Sequence, residues 1–308
     1  MFDTVTLIAY GVEVNPNKLE QCNQFTYIDD DGGYRTKLTY RKGNILYVYK
    51  LQQQILEIEC SIPKLVHGTN VHALSIDDIA IFWNRLSKEL IEQLGVEIQK
   101  EHWKVKRLDV SYNFLVDNVG SYITELSKLN MSKRTKVTYN ENETIIFKNK
   151  SSSISFYDKE KECLSRKEER DIVEKAKGIL RLEIRPARYH MAEYSPSRKA
   201  IDLLSMEYFS FIIEKLGINQ LLESINYHKI ECDNSDLQKA LKEMKATDIE
   251  KVLGFTTLIN TIGEKVLLES GYYKVGTFRN RSELVGQYSL ITTKEKAKQK
   301  KIYVPLSS

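Results

Sequence analysis

Two short segments of this chain repeat one pattern. VKRLDV at 105–110 and LRLEI at 180–184 each contain the run basic, Leu, acidic, apolar. Side chains alternate across a strand, so Leu108 and Val110 point one way and Asp109 the other. Glu183 is opposed to Leu182 and Ile184 in the same way. If two such strands neighbour each other, both carboxylates lie on one face of a sheet. Paired carboxylates suit a hard divalent cation, Mg²⁺ or Mn²⁺, which prefers oxygen ligands. A plainer reading fits the same residues: two half-buried strands whose acids face Arg107 and Arg181, or solvent. The pattern alone leaves both open. Other chemistry is harder to find. The four cysteines form no CxxC pair and read as free thiols, which argues against a zinc site. The eighteen tyrosines make any single one more often structural than reactive.

The elements around these acids follow from periodicity. Segments near 4–14, 25–30, 34–41, 44–50 and 55–61 alternate apolar and polar residues, and Asp31, Gly32 and Gly33 read as a hairpin turn. An antiparallel meander is expected there. A helix should follow, with Ser75 as N-cap and Asp78 in the capping-box position. Ile79, Phe82, Leu86, Leu90 and Leu94 form its apolar stripe, and Gly95 ends it. Residues 103–116 read as a strand and 119–129 as a helix. A hairpin should pair 143–150 with 154–161 through serines 151–153, and 159–177 suggests an exposed helix. ILRLEIRPAR (179–188) is a further strand, closed by Pro186. From 198 onward the apolar spacing becomes helical. The chain therefore reads as α+β: a sheet-based domain over 1–197 and a helical C-terminal domain over 198–308 with a basic tail.

Charge is a weak guide. Lys and Arg number 46 against 42 Asp and Glu, a net +4. That permits nucleic-acid binding without arguing for it. Local basic runs lie at 133–136, 148–150 and 294–301, each taken singly more simply read as a solvated loop or tail. No run of eighteen apolar residues suggests a membrane span, and the N-terminus lacks a signal-peptide pattern.

The order of these segments resembles the gene II/X family of filamentous-phage and plasmid replication initiators. MFDTVTLIAY is similar to that family's Met-x-Asp start. LEIECSIPKLVHGTNVHALS (56–75) resembles its strand, Pro-Lys segment and Gly-x-Asn-Val turn. RLDVSYNF resembles its Arg-apolar-Asp strand, SISFYDKEKE its Tyr-x-Lys strand, and GILRLEIRPARY its Gly-x-x-Arg-apolar-Glu-x-Arg segment. KVLGFTTLINTIGEK resembles a Gly-Phe helix of its C-terminal region. The resemblance covers nearly the whole chain.

It implies an antiparallel-sheet nickase core that starts rolling-circle replication. A tyrosine would cut one strand at an origin, keep a 5′-phosphotyrosine link, and later rejoin the ends. Carried over by position, Tyr157 is the nucleophile. Lys159, two residues on and on the same face of a strand, would lower its pKa or stabilise the phosphorane. Asp109 and Glu183 become ligands of Mg²⁺ or Mn²⁺, with Glu57 a weaker third. Arg185 reads equally as a bidentate phosphate clamp or a surface salt bridge, and Lys148, Lys150 and Arg134 of the basic runs are candidate DNA-binding residues. Tyr189 and then Tyr194 are the alternative nucleophiles. The chain departs from the best-known rolling-circle nickases in having five histidines but no His-hydrophobic-His pair. His67, beside the turn, is then a ligand or a surface hydrogen-bonder. The implied partners are origin duplex and single-stranded DNA in the bacterial cytoplasm, with no membrane. A host helicase or polymerase and a second copy of the chain stay open as partners. A second reading keeps the fold and drops the cutting: an origin- or single-strand-binding protein.

Overall fold

Ten strands form one antiparallel sheet, and its middle is where the two acidic strands meet. The computed structural model describes residues 1–139, 143–225, 245–287 and 302–306. In chain order the strands are β1 (Phe2–Tyr10), β2 (Asn23–Ile28), β3 (Tyr34–Lys42), β4 (Ile45–Lys50) and β5 (Ile55–Ser61), then β6 (Lys104–Leu115), β7 (Thr135–Tyr139), β8 (Thr144–Lys148), β9 (Ser153–Asp158) and β10 (Ile179–Arg185). Their order across the sheet is β2-β3-β4-β5-β1-β6-β10-β9-β8-β7. The expected meander is therefore present as β2 to β5, and β1 inserts between it and β6. Strand β7, within the basic run 133–136 and beyond, has too little alternation to be expected from sequence.

One face of the sheet is the core. Leu108 and Val110 on β6, Leu182 and Ile184 on β10, and Ile154 and Phe156 on β9 are all buried there. Helices cover this face. Tyr122, Ile123 and Leu126 of the helix Val119–Lys128 are buried, and Phe209 of the helix Met206–Lys215 meets Phe2 edge-on at 6.5 Å. The helix Asp78–Leu94 buries the stripe read from its sequence. Its entry is a reciprocal cap: the Ser75 N–H donates to Asp78 Oδ2 at 2.7 Å and the Asp78 N–H to Ser75 Oγ at 3.3 Å. Gly178 precedes β10 at φ +72°, and a Cβ there would lie 3.0 Å from the Val116 carbonyl oxygen. Only glycine lets β10 start flush against β6.

Three expectations change. The strand expected over 154–161 ends at Asp158, whose side chain caps the helix Lys159–Ser165. The single helix expected over 159–177 is two, Lys159–Ser165 and Arg170–Ala176. The expected boundary at 197/198 is not where the chain divides. One compact unit holds Met1–Asn226 with Lys301–Ser308, and the other holds Tyr227–Lys300. The helices Ala200–Leu203, Met206–Lys215 and Ile218–Glu223 thus belong with the sheet, because their apolar stripes are buried in that unit. Val304 also returns to it, exchanging two backbone hydrogen bonds with the Asn219 side chain at 2.8 and 3.0 Å. In the second unit the helices Ala246–Ile262, Glu264–Glu269 and Val275–Gln287 gather around Phe255, Leu267 and Phe278. The basic run 294–301 lies outside the described residues. Among the described residues no helix is long and apolar enough to cross a membrane.

Candidate functional site

The face opposite the core is polar at its centre, and the strand register explains which residues meet there. Strands β6 and β10 are neighbours, with Glu183 opposite Ser111 and Ile184 opposite Val110. Asp109 and Glu183 therefore share a face, as the sequence pattern requires of adjacent strands. β9 lies beyond β10 and sets Tyr157 opposite Arg181 and Ser155 opposite Glu183. On the other flank β1 pairs Phe2 with Val110 and Val5 with Leu108, so Asp3 and Thr4 together face Asp109 alone. This bulge breaks the alternation of β1 and delivers Asp3 to the polar face.

Each acid has a different neighbourhood. Asp109 is completely buried. It is gripped from two sides: Arg185 donates from Nε to Oδ1 at 3.0 Å and from Nη2 to Oδ2 at 3.2 Å, and Arg107 donates from Nε to Oδ1 at 3.1 Å and also from Nη2 to Oδ2. Two bidentate guanidinium pairs occupy a carboxylate's acceptor directions. Glu183 accepts a hydrogen bond from the Tyr157 hydroxyl at 3.3 Å. Burial pushes the Glu183 carboxyl pKa above its ordinary value, and the charges of Asp3 and Asp109 push it further. Asp3 accepts from Ser61 Oγ at 3.2 Å and pairs with Arg181 Nη2 at 3.1 Å. Arg181, only 2% exposed, also donates from Nη1 to the Asn70 carbonyl oxygen at 2.9 Å and to Asn113 Oδ1 at 3.1 Å.

Lys159 is not placed as expected. It is the first residue of a helix rather than a strand neighbour of Tyr157. Its fully buried ammonium donates to Asn70 Oδ1 at 3.0 Å and pairs with Glu162 at 2.7 Å. It lies 5.9 Å from the Tyr157 ring centroid. Even so, the Tyr157 pKa is raised, chiefly by burial, and the cation that opposes the rise is Arg181.

The expected metal trio is not assembled. Glu57 is held by Lys50 at 2.9 Å and Lys106 at 2.6 Å. Burial works against its charge, yet these two lysines hold its carboxyl below the usual range. His67 pairs with Asp78 at 3.3 Å. Among the described residues no group of three or more His, Cys, Asp or Glu is placed to hold a metal ion. Glu57→Gln should accordingly lower stability by about 1–3 kcal/mol. A depressed carboxyl pKa stabilises above the unfolded-state value and loses that contribution as pH falls through the folded one. Urea titrations should show the gap between Glu57→Gln and the parent closing as the buffer is acidified.

The expected DNA-binding residues divide. Arg185 is exposed at the rim while its head grips Asp109. Lys148 is exposed and opposite Ser153, which is opposite Arg185, so all three lie in one row. Lys150 is exposed in the turn that follows. Arg134 donates to the carbonyl oxygens of Phe147 and Ser152, both at 3.4 Å, and is occupied within the fold. Tyr189 is 58% exposed on the helix Arg188–Tyr194, beside His190. Tyr194 packs against Tyr208 and Phe211.

Sequence reasoning missed Asp3 and Arg181 as members of the site. A signal for Asp3 existed: an acid third in the chain, in a strand whose other early residues are apolar or Thr. A comparison with curated proteins finds no match. The family model for the N-terminal region of the gene II replication-associated protein matches residues 2–203, from the first strand to the helix after Tyr194. This chain therefore belongs to the family of phage replication-associated proteins of the gene II type.

Proposed function

We propose that this replication protein initiates rolling-circle replication by cutting one DNA strand with a tyrosine and later rejoining it. One observation carries the reading: the Tyr157 hydroxyl donates to a carboxylate, Glu183, whose pKa burial raises above the ordinary carboxyl value. Glu183 takes the phenol proton as the Tyr157 oxygen bonds to the scissile phosphorus. The bond from phosphorus to the 3′-oxygen breaks, and that oxygen leaves as the free 3′-hydroxyl by taking the proton from Glu183. The reverse transfer rejoins the strand. Arg181, the cation that favours the phenolate, sits directly across the strand pair. Arg185 and Lys148, in one row at the rim, receive the DNA backbone. Replacing Lys148 and Lys150 by Ala should flatten the log–log dependence of duplex affinity on salt, by about 0.9 for each phosphate no longer neutralised. An unchanged slope removes them from the interface.

A second reading keeps the chemistry and moves it to Tyr189. Its favouring observation is exposure: at 58% it meets a phosphate without rearrangement, whereas Tyr157 is largely covered. Mass spectrometry of the covalent DNA–peptide adduct separates the two. Tyr157→Phe should abolish the adduct and spare DNA binding. An adduct that survives in Tyr157→Phe and vanishes in Tyr189→Phe gives the role to Tyr189. A duplex mobility shift with no adduct from the parent protein supports a binding protein without cutting activity. The requirement for Mg²⁺ or Mn²⁺ belongs to the proposal as well. Asp109, Glu183 and Glu57 do not by themselves form a cage for it, and loss of the adduct in EDTA is the expected check.

A further inference from the structure

The polar face does not end at the candidate site. It runs on across β1, β5, β4, β3 and β2 to the sheet edge, and its residue types change on the way. Cross-strand register places Phe25 opposite Lys37, Lys37 opposite Lys50, Lys50 opposite Ile55, and Ile55 opposite Tyr10. These five residues make one row across five strands, and both ends are aromatic. With strands about 4.8 Å apart, the row spans about 19 Å.

Both rings stand out of the surface. Phe25 is 63% exposed and Tyr10 is 55% exposed. Phe25 stacks on Tyr27, two residues on and on the same face, with ring planes 21° apart and centroids 6.2 Å apart. Lys104 lies over the Tyr10 ring at 5.3 Å. Lys37 in the row, and Arg41 two turns of the alternation along the same face of β3, have no ion pair among the described residues. Lys50 is balanced by Glu57. Among the described residues no core packing calls for rings at these positions, since the buried side of this part of the sheet is the opposite one, with Leu38, Tyr47, Tyr49, Leu56 and Ile58.

Exposed rings with unpaired cations between and beside them on a sheet face are an arrangement that takes single-stranded nucleic acid. Bases stack on the rings, and the cations follow the phosphates. Duplex DNA keeps its bases stacked internally and offers no free base faces to such rings. We propose that the open face of β2 to β5 and β1 is a platform for single-stranded DNA, contiguous with the cutting site and holding a few unstacked nucleotides of a strand that reaches it. The inference rests on the DNA-cutting reading for its biological setting, but the binding itself is a separate property.

The test uses the full chain and fluorescence anisotropy. The probes are a labelled oligo-dT without origin sequence and a labelled mixed-sequence duplex. Tyr10→Ala and Phe25→Ala should each weaken oligo-dT binding about tenfold, as loss of one base–aromatic stack predicts. Duplex affinity should stay unchanged. Phe25→Trp should retain oligo-dT affinity, because the stacking surface remains. Lys37→Ala and Arg41→Ala should each flatten the single-strand salt slope by about 0.7. All four positions are on the surface, so folding is expected to be intact, and unaltered thermal unfolding checks it. Oligo-dT binding unaffected by both alanine variants overturns the proposal. So does an equal loss of duplex and single-strand affinity, which would make the face a duplex or general electrostatic surface. Adduct formation on origin DNA is scored in parallel. A parent protein that binds oligo-dT through these rings but forms no adduct defeats the cutting reading alone. Normal adduct formation with ring-independent oligo-dT binding defeats the platform alone.

Discussion

Glu183→Gln should lower the rate of covalent adduct formation by about 10²–10⁴-fold, the usual contribution of a positioned general base. DNA affinity should hold. The amide keeps the shape and still accepts the Tyr157 hydroxyl hydrogen bond, but it cannot take the proton. Two further readouts separate this from a structural role. The parent's cleavage rate should fall with acidification in a range above that of an ordinary glutamate, because burial and then the charges of Asp3 and Asp109 raise the Glu183 pKa. The stability sign is the reverse of the activity sign. A raised carboxyl pKa contributes stability that is full below the unfolded-state value and is lost as pH rises through the folded one. Where it is ionised, then, Glu183 works against the fold, and Glu183→Gln should be at least as stable as the parent there. Such a pair of results, slower and no less stable, is the mark of a functional strain. A variant that cuts at the parental rate removes Glu183 from the chemistry. One that is slow only because it unfolds in less urea removes the argument for a base.

Arg181→Met should be the most destabilising single change in the sheet, by about 3–5 kcal/mol. The guanidinium ties three parts of the unit together: Asp3 at 3.1 Å, the Asn70 carbonyl oxygen at 2.9 Å and Asn113 Oδ1 at 3.1 Å. Methionine fills much of the volume but strands the Asp3 carboxylate in a buried position. Most of the loss is that stranded charge, so Asp3→Asn combined with Arg181→Met should recover part of it. Urea unfolding of the four proteins forms the double-mutant cycle. Additive losses would mean that the two residues do not act as a pair. The same substitution also withdraws the cation that favours the Tyr157 phenolate, so residual folded Arg181→Met should cut more slowly with its alkaline limb moved upward.

Much of the architecture was written in local patterns. Alternation announced most of the strands, the repeated Arg-Leu-acid run announced two that carry their acids on one face, and Ser75 with Asp78 announced a helix start that closes as a reciprocal cap. These features depend on neighbours a few residues apart, which a sequence displays directly. The resemblance to replication initiators, drawn from motifs in order along the chain, agrees with the family match over residues 2–203.

What the acids do was decided only by the tertiary structure. Register joined Arg185 to Asp109, 76 residues away and the expected metal ligand, which Arg107 also grips. A bulge in β1, invisible as a composition feature, brought Asp3 beside Glu183 and helped to raise its pKa. Asp158 ended the strand early because its side chain caps a helix, and that single step placed Lys159 on the helix as a buried partner of Asn70 and Glu162. The division of the chain moved from 197/198 to beyond residue 225 because helical periodicity reports a buried stripe without saying which core buries it. Alternation and spacing follow from the backbone of one segment. Pairing, burial and charge environment follow from segments far apart in the chain, and those set whether a carboxylate is a ligand, a clamp or a base.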